Sequence, residues 1–384
     1  MAAVTTVASA CAAALMLPGT AAQAAHAQTA GAQTATAQTA KPAPRTVRVS
    51  TTSDGTQADG ASSGGAISAD ARYVAFWSKA PNLGGDFFHA LLLKDLTTGE
   101  VRQVPNAKSY GGGSAVISND GRYVGYSSGA RYENAWVYDR ETGQSTQVNR
   151  SQISGVGSFS ADARLATVSV GNRTPSQPHT LFVHDMRTGA DEQVDPTQTP
   201  SGFRSIGGGV LSGDGNLVAF ATGPYEMRDV FVKNRHTGRV EQVDVPLDGV
   251  PDEGRTYVTD MSDDGRYVLF ESTSANLVPD HTEPGGNYSY LRDRRTEKTR
   301  RVGAEGAPAE ALSGNGRKVL LRENGRFTLL DIHTGKRTDV APGTYATRGS
   351  VTPRGDAVAF TSAASDLVPD DSNNAEDVFV RHLR

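Results

Sequence analysis

The phrase "MSDDGRYVLFES" at Met261–Ser272 returns as "ISNDGRYVGYSS" at Ile117–Ser128 and as "ISADARYVAFWS" at Ile67–Ser78. Aligned on the Ser or Thr of this phrase, the chain shows seven anchors: Ser68, Ser118, Ser160, Ser212, Ser262, Ser313 and Thr352. Their spacings are 50, 42, 52, 50, 51 and 39 residues. A period in the forties to low fifties is the mark of propeller blades, units that cannot bury their apolar faces alone and must stack on their neighbours. No other feature of the sequence narrows the fold as far.

Each period carries four segments. A short one ends at the anchor and is followed by a turn such as Asn119-Asp120-Gly121 or Asp263-Asp264-Gly265. A second follows the turn, as at 122–128 or 216–222. The third is rich in Val, Leu, Phe and Tyr, as in "NAWVYDR" from Asn134 or "RDVFVKNR" from Arg228. The fourth begins after a Thr-Gly turn, as at Thr142-Gly143 or Thr237-Gly238, and ends in Val. Runs this short and this rich in β-branched and aromatic residues are strands. Gly in the turns supplies the positive φ that tight hairpins need.

The seventh repeat stops after its third strand, while "RTVRVSTTSDG" (Arg45–Gly55) has the ending of a fourth strand and then enters the first repeat. A ring leaves no free edge only if this segment completes the last blade. The sequence therefore predicts an all-β, seven-bladed β-propeller of four-stranded blades. Its repeats lie near 60–104, 111–148, 155–194, 207–243, 256–302, 308–340 and 347–384, with the last closed by 45–50. Thr46–Ser50 should pair with Asp377–His382.

The succession Ser-x-Asp-Gly-Arg-Tyr-Val-Ala-Phe, Asp-Val-Phe-Val-x-Asp and Thr-Gly-x-x-x-x-Val resembles the WD40-like propeller repeat of the translocation protein TolB and of many exported bacterial proteins. The resemblance covers Arg45–Arg384. It implies the fold and says little of activity, because such propellers serve as protein-binding platforms, as sugar-active lyases and as lids on peptidases. TolB carries an α/β domain before its propeller; here an Ala/Gln/Thr tract occupies that place.

Residues 1–27 read as a secretory signal peptide. The apolar run Val4–Leu17 is broken by Pro18-Gly19 and followed by small residues at Ala22-Gln23-Ala24 and Ala25-His26-Ala27. That run is short for a bilayer span. Residues 28–44 have too few large apolar groups to pack and read as a linker. The single cysteine, Cys11, lies in the leader, which leaves the exported chain without disulfides, thiolate chemistry or Cys-ligated zinc. A net charge of −4 argues against nucleic acid as a partner. The expectation is a secreted, extracytoplasmic monomer with no integral membrane span.

In a four-stranded blade the Asp-Gly and Thr-Gly turns share one face, and the long, dissimilar loops share the other. Variation confined to one face marks the binding face of a repeat protein. Phe87, Phe88, Tyr110, Tyr132, Phe203, Arg204, Tyr225, Arg255, Tyr257, Tyr345 and Arg348 gather there, residue types enriched at binding hot spots. In the last blade Asp371, Asn373 and Asp377 follow an alternate-residue rhythm that suits Ca²⁺, the one cofactor suggested. The histidines form no metal-binding spacing. The positions nearest the ring axis, in "GGAIS", "GSAVIS" and "GGGVLS", are small and apolar, with Asp260 the main acidic exception. The expected function is accordingly a non-catalytic binding or scaffold propeller that recognises a protein or a cell-envelope or glycan ligand on its long-loop face. The alternative is a polysaccharide-directed lyase or hydrolase acting at the mouth of the central channel.

Overall fold

A computed structural model of the chain describes residues 45–383 apart from 130–132, 149–152, 172–179, 195–208, 224–227, 248, 250–253 and 280–285. The leader and linker expected at 1–44 lie outside the described residues. Six antiparallel sheets of four strands each follow one another along the chain, and a further sheet joins Arg45–Arg48 to Asp377–His382 and Ala357–Ser362. The result is a seven-bladed ring. Among the described residues a single 3₁₀ turn, Pro81–Leu83, interrupts an otherwise all-β succession.

The repeated phrase is a hairpin clasp. Ser262 Oγ donates to Asp264 Oδ1 at 2.6 Å and accepts the Tyr267 N–H at 2.9 Å, while Asp264 Oδ1 also accepts the Arg266 N–H. The same set forms around Ser68, Ser118, Ser160 and Ser212. Gly265 sits at φ +64°, which Gly adopts without the Cβ penalty that Ala71 and Ala163 bear in the same turn of the first and third blades, and a Cβ there would lie 2.3 Å from the tip of Leu217 of the preceding blade. The Arg that follows the turn pairs with the Asp ending the third strand: Arg72 with Asp95, Arg122 with Asp139 and Arg266 with Asp293. That Asp also caps the Thr-Gly turn, as where Asp95 Oδ1 accepts the Thr97 and Thr98 N–H groups.

The core consists of seven apolar clusters, one between each pair of neighbouring blades. Val74 and Phe76 of one strand face the last blade, whereas Tyr73, Ala75 and Trp77 of the same strand face the second. Both faces of the sheet are buried, which explains why these strands read as continuous apolar runs with no alternation. A belt of backbone hydrogen bonds joins the turns from blade to blade: Ala69 N–H to Asn119 O, Ala161 to Gly213, Gly213 to Asp263, and Asp263 to Gly314. At the seventh blade the equivalent residue is Pro353, which has no N–H to pass on. The stitch from the seventh to the first blade lies higher, where the Ile67 N–H meets Gly349 O at 2.9 Å.

Closure follows the expected pairing. Arg45, Thr46, Val47 and Arg48 face His382, Arg381, Val380 and Phe379, and the Val49 N–H reaches Val378 O at 2.7 Å. The innermost strand of this blade is reduced to an isolated bridge between Val351 and Val358. Asp371, Asn373 and Asp377 do converge, and they meet the N-terminal segment. Arg48 lies 3.3 Å from Asp371 and 3.7 Å from Asp377, and the Gln57 amide donates to both carboxylates. Ser50 Oγ donates to Asp377 Oδ1 at 2.6 Å, and the Asn373 amide donates to Ala58 O. These oxygens are held by a guanidinium, an amide and a hydroxyl. Among the described residues no group of three or more His, Cys, Asp and Glu is arranged to hold a metal ion.

The clasp has a measurable consequence. Asp377→Ala removes the acceptor of Ser50 and one of the two carboxylates shared by Gln57 and Arg48, with Asp371 still beside the guanidinium, and leaving buried donors short of a partner costs on the order of 1–3 kcal/mol. The urea midpoint of the variant should fall by a corresponding amount; an unchanged midpoint would mean that the ring is fastened elsewhere.

Candidate functional site

The residues three positions before the anchors are Gly65, Ala115, Gly157, Gly209, Thr259, Glu310 and Gly349. In the first, third, fifth and sixth blades the ladder between first and second strands slips at this place. Such a bulge frees one residue from the ladder and re-aims its groups. Two of the freed residues, in the third and fifth blades, and the equivalent Gly209 of the fourth offer their carbonyls to one side chain. Arg348, from the loop entering the seventh blade, donates through Nε to Thr259 O at 2.7 Å and through Nη1 to Gly157 O at 3.2 Å and Gly209 O at 3.5 Å. One guanidinium thus spans the channel from the seventh blade to the third, fourth and fifth.

Arg348 keeps some surface open to the channel although protein atoms surround it, and this enclosure lowers its pKa against the opposing charge of Asp260. Asp260 is 7% exposed. Burial pushes its carboxyl up to about 6, with Arg348 and the N–H groups of Leu312 and Met261 acting in the other direction. The Leu312 contact crosses from the fifth blade to the sixth, so this carboxylate is a structural brace as well as a counterion.

Above Arg348 opens a cleft of about 480 Å³ on the long-loop face, bounded among others by Ser114, Thr259, Glu271, Glu310, Tyr345 and Arg348. Glu310 is held by Arg322 Nε at 2.7 Å. Burial raises its pKa nonetheless, and the nearby charge of Glu271 adds to the rise. Glu271 accepts a hydrogen bond from the Asn287 amide at 3.2 Å. The Tyr345 phenol is raised by burial and by the Glu310 charge, with the Ser114 side chain from the second blade acting in the other direction. A carboxyl whose affinity for a proton has been lifted, a second carboxylate, a phenol and a cation therefore surround one open space. That arrangement can exchange protons with a bound molecule.

Of the residues singled out from sequence, Tyr345 and Arg348 reach this cleft. Phe87, Phe88 and Tyr110 form a separate cluster over the first blade, with ring centroids 4.4–5.6 Å apart. Tyr257 lies 5.1 Å from the buried Arg228 guanidinium, and Arg255 is exposed beside it. Tyr132, Phe203, Arg204 and Tyr225 lie outside the described residues. Glu310 and Glu271 were missed. Yet Glu310 stands at a position that is Gly in four of the seven repeats, and that departure was visible in the sequence. The pentapeptide Gly60-Ala61-Ser62-Ser63-Gly64 has the spelling of a hydrolase nucleophile elbow. Ser62, however, lies in a buried strand with its Oγ on Ser78 Oγ, not on a strand-to-helix turn.

No family model and no curated protein sequence matches the chain. Solved structures do match it. An oligogalacturonate lyase in complex with manganese superposes with a TM-score of 0.60 at 15% identity, over 88% of this chain and 93% of its own. An oligogalacturonate lyase from Vibrio parahaemolyticus gives 0.59 at 14% identity, over 88% and 93%. A putative TolB from Agrobacterium tumefaciens gives 0.47 at 14% identity, over 84% and 90%. The shared feature is the propeller fold of TolB-like repeats. These findings correct the expectation of a non-catalytic binding platform. It rested on an axis of small apolar residues, whereas Glu310 and Arg348 line the cleft there, and the two structures with the higher TM-scores of these three are lyases.

A second buried carboxyl, Asp244, is 4% exposed. Burial and the neighbouring Asp229 charge push it up to about 7, against hydrogen bonds from Thr256 and the Val230 N–H. Its folded pKa is above the unfolded value of about 4, so the native state keeps a proton that the unfolded chain releases. Its contribution to stability is therefore present below pH 4 and lost as pH rises to about 7. Asp244→Asn should raise stability at pH 8 by roughly 2–4 kcal/mol, with the gain shrinking toward pH 4. A pH-independent difference between the two proteins in urea denaturation would contradict this origin.

Proposed function

We propose that the chain cleaves a saccharide chain at the mouth of its central channel, as a polysaccharide-directed lyase or hydrolase. The observation that carries this reading is the convergence of Glu310, Glu271, Tyr345 and Arg348 on one cleft of about 480 Å³, a volume that suits a few sugar rings. The two oligogalacturonate lyases that share the ring support it, since the same architecture houses saccharide cleavage there. The apolar leader at Val4–Leu17 supports action outside the cytoplasm, where such polymers are met.

Both reactions need a group that protonates the departing glycosidic oxygen and a partner on the other side of the sugar. The partner activates water in hydrolysis and removes a C–H proton in elimination. Glu310 takes the first role, because burial and the Glu271 charge keep its proton on at higher pH than an ordinary carboxyl would. Glu271 and Tyr345 are the partners within the same cleft, which Ser114 also lines. Arg348 has several donors engaged by carbonyls; it shapes the floor and supplies positive potential there.

The test is to incubate the protein with polygalacturonate, alginate, xylan and peptidoglycan and to follow reducing ends together with ultraviolet absorbance. New reducing ends with an unsaturated product identify a lyase, and new ends without one identify a hydrolase. Glu310→Gln should lower kcat by at least about 10²-fold in either case. Unchanged polymers throughout, or full activity in Glu310→Gln, would overturn the assignment.

A further inference from the structure

Resting on the reading of the channel mouth as a saccharide-cleaving cleft, we infer that Phe87, Phe88 and Tyr110 form a second sugar-binding subsite, which holds a more distant part of the same chain by stacking. Phe87 is 73% exposed and Tyr110 53% exposed. Rings that merely filled their own loop would hide more of their surface. The Phe87 ring stands at 89° to both Phe88 and Tyr110, with centroids 5.4 and 5.6 Å away. Among the described residues these are the only strongly exposed aromatic rings that touch each other. Exposed ring surface of this kind suits the C–H side of a pyranose.

The platform is held in place before any ligand arrives. Lys108 Nζ meets Asp86 Oδ2 at 2.5 Å, tying the aromatic loop to the fourth strand of the blade. Asp86 Oδ1 also accepts the Phe88 N–H at 2.7 Å. Preorganised aromatic faces cost little entropy on binding. The ion pair beside them gives hydroxyl groups both a donor and an acceptor.

A path connects this platform to the cleft. Gly111, Gly112 and Gly113 follow Tyr110 and lead to Ser114, which lines the cleft together with Tyr345. This strip carries no side chains, and a Cβ on Gly111 would meet nothing within 4 Å. Four residues reach at most about 14 Å, enough for more than one sugar ring. Under Gly113 lies the Trp77 indole, whose buried Nε1 has no hydrogen-bond partner in the protein. A protein partner would need roughly 800 Å² on its side of an interface, far more than three rings provide. A chain-like saccharide fits both the size and the path.

The test uses native gels cast with polygalacturonate, alginate, xylan or hydroxyethylcellulose, run with the wild-type protein, the double variant Phe87→Ala/Tyr110→Ala, and Phe87→Trp. Both truncated side chains are exposed, and equal melting temperatures will show that the fold is kept. Retardation of the wild type in at least one gel, weakened at least about tenfold in Kd by the double variant and retained by Phe87→Trp, is the expected result. Equal retardation of wild type and double variant, or no retardation of the wild type in any gel, overturns the subsite. Cleavage is scored separately. The double variant should cleave the shortest accepted oligosaccharide at the wild-type rate and lose efficiency only on longer chains. If the wild type cleaves nothing, the catalytic reading fails while the gels still decide the platform.

Discussion

Everything in this molecule depends on fastening the seventh blade. A sheet edge left open exposes a row of unpaired N–H and C=O groups, and a ring with one incomplete blade would have that edge at its seam. Arg45–Arg48 closes it from the far end of the chain. The backbone pairing is reinforced where Arg48, Ser50 and Gln57 gather on Asp371 and Asp377, contacts between residues more than 300 positions apart. Closure at such sequence separation is entropically costly, and a buried, fully bonded carboxylate is the kind of contact that holds it. With the seam shut, the seven apolar layers between blades press on one another around the whole circle.

A closed ring brings the same position of every blade to one axis, and there the departures from the repeat acquire meaning. Seven identical blades would line the channel with glycine carbonyls and little else. In this chain, Arg348 gathers three carbonyls from this position, those of Gly157 and Thr259 at bulges and that of Gly209. Glu310 and Asp260 replace small residues on the inner strands, and Tyr345 reaches the same mouth from the loop before the seventh blade. Other departures are compensations. In the fourth blade Asn216 and Asn234 stand where most blades have the Arg–Asp pair, so the charges are lost together and Asn234 still caps its turn. A substitution that keeps its partner preserves the blade; one that faces the axis without a repeat counterpart builds a site.

This distinction also explains what the sequence revealed and what it hid. The anchors, the Asp-Gly and Thr-Gly turns and the displaced fourth strand were legible because each is a local pattern with a local cause. The gathering of Tyr345 and Arg348 on the long-loop face was legible for the same reason, since loop length alone sorts the faces. The chemistry at the axis was hidden by averaging: a channel that is mostly Gly, Ala, Ser and Val looks inert until the single Glu of the sixth blade is compared with the Gly of its neighbours. The rhythm Asp371, Asn373, Asp377 was legible as a cluster of oxygens, whereas its partners Arg48 and Gln57 were not, because they lie at the opposite end of the chain. The innermost strand of the seventh blade shrank to one bridge at Val351, for which we have no local sequence signal beyond Pro353 two residues later.

The central claim is that saccharide cleavage takes place at the channel mouth, between Glu310 and Tyr345 and above Arg348. Its most direct test is a crystal structure of the Glu310→Gln variant soaked with oligosaccharides from whichever polymer the protein acts on or binds. The account requires a sugar ring in the cleft, with a glycosidic oxygen within hydrogen-bonding distance of residue 310. An oligosaccharide ordered only on the turn face or the outer rim, with the mouth containing solvent alone, would contradict it.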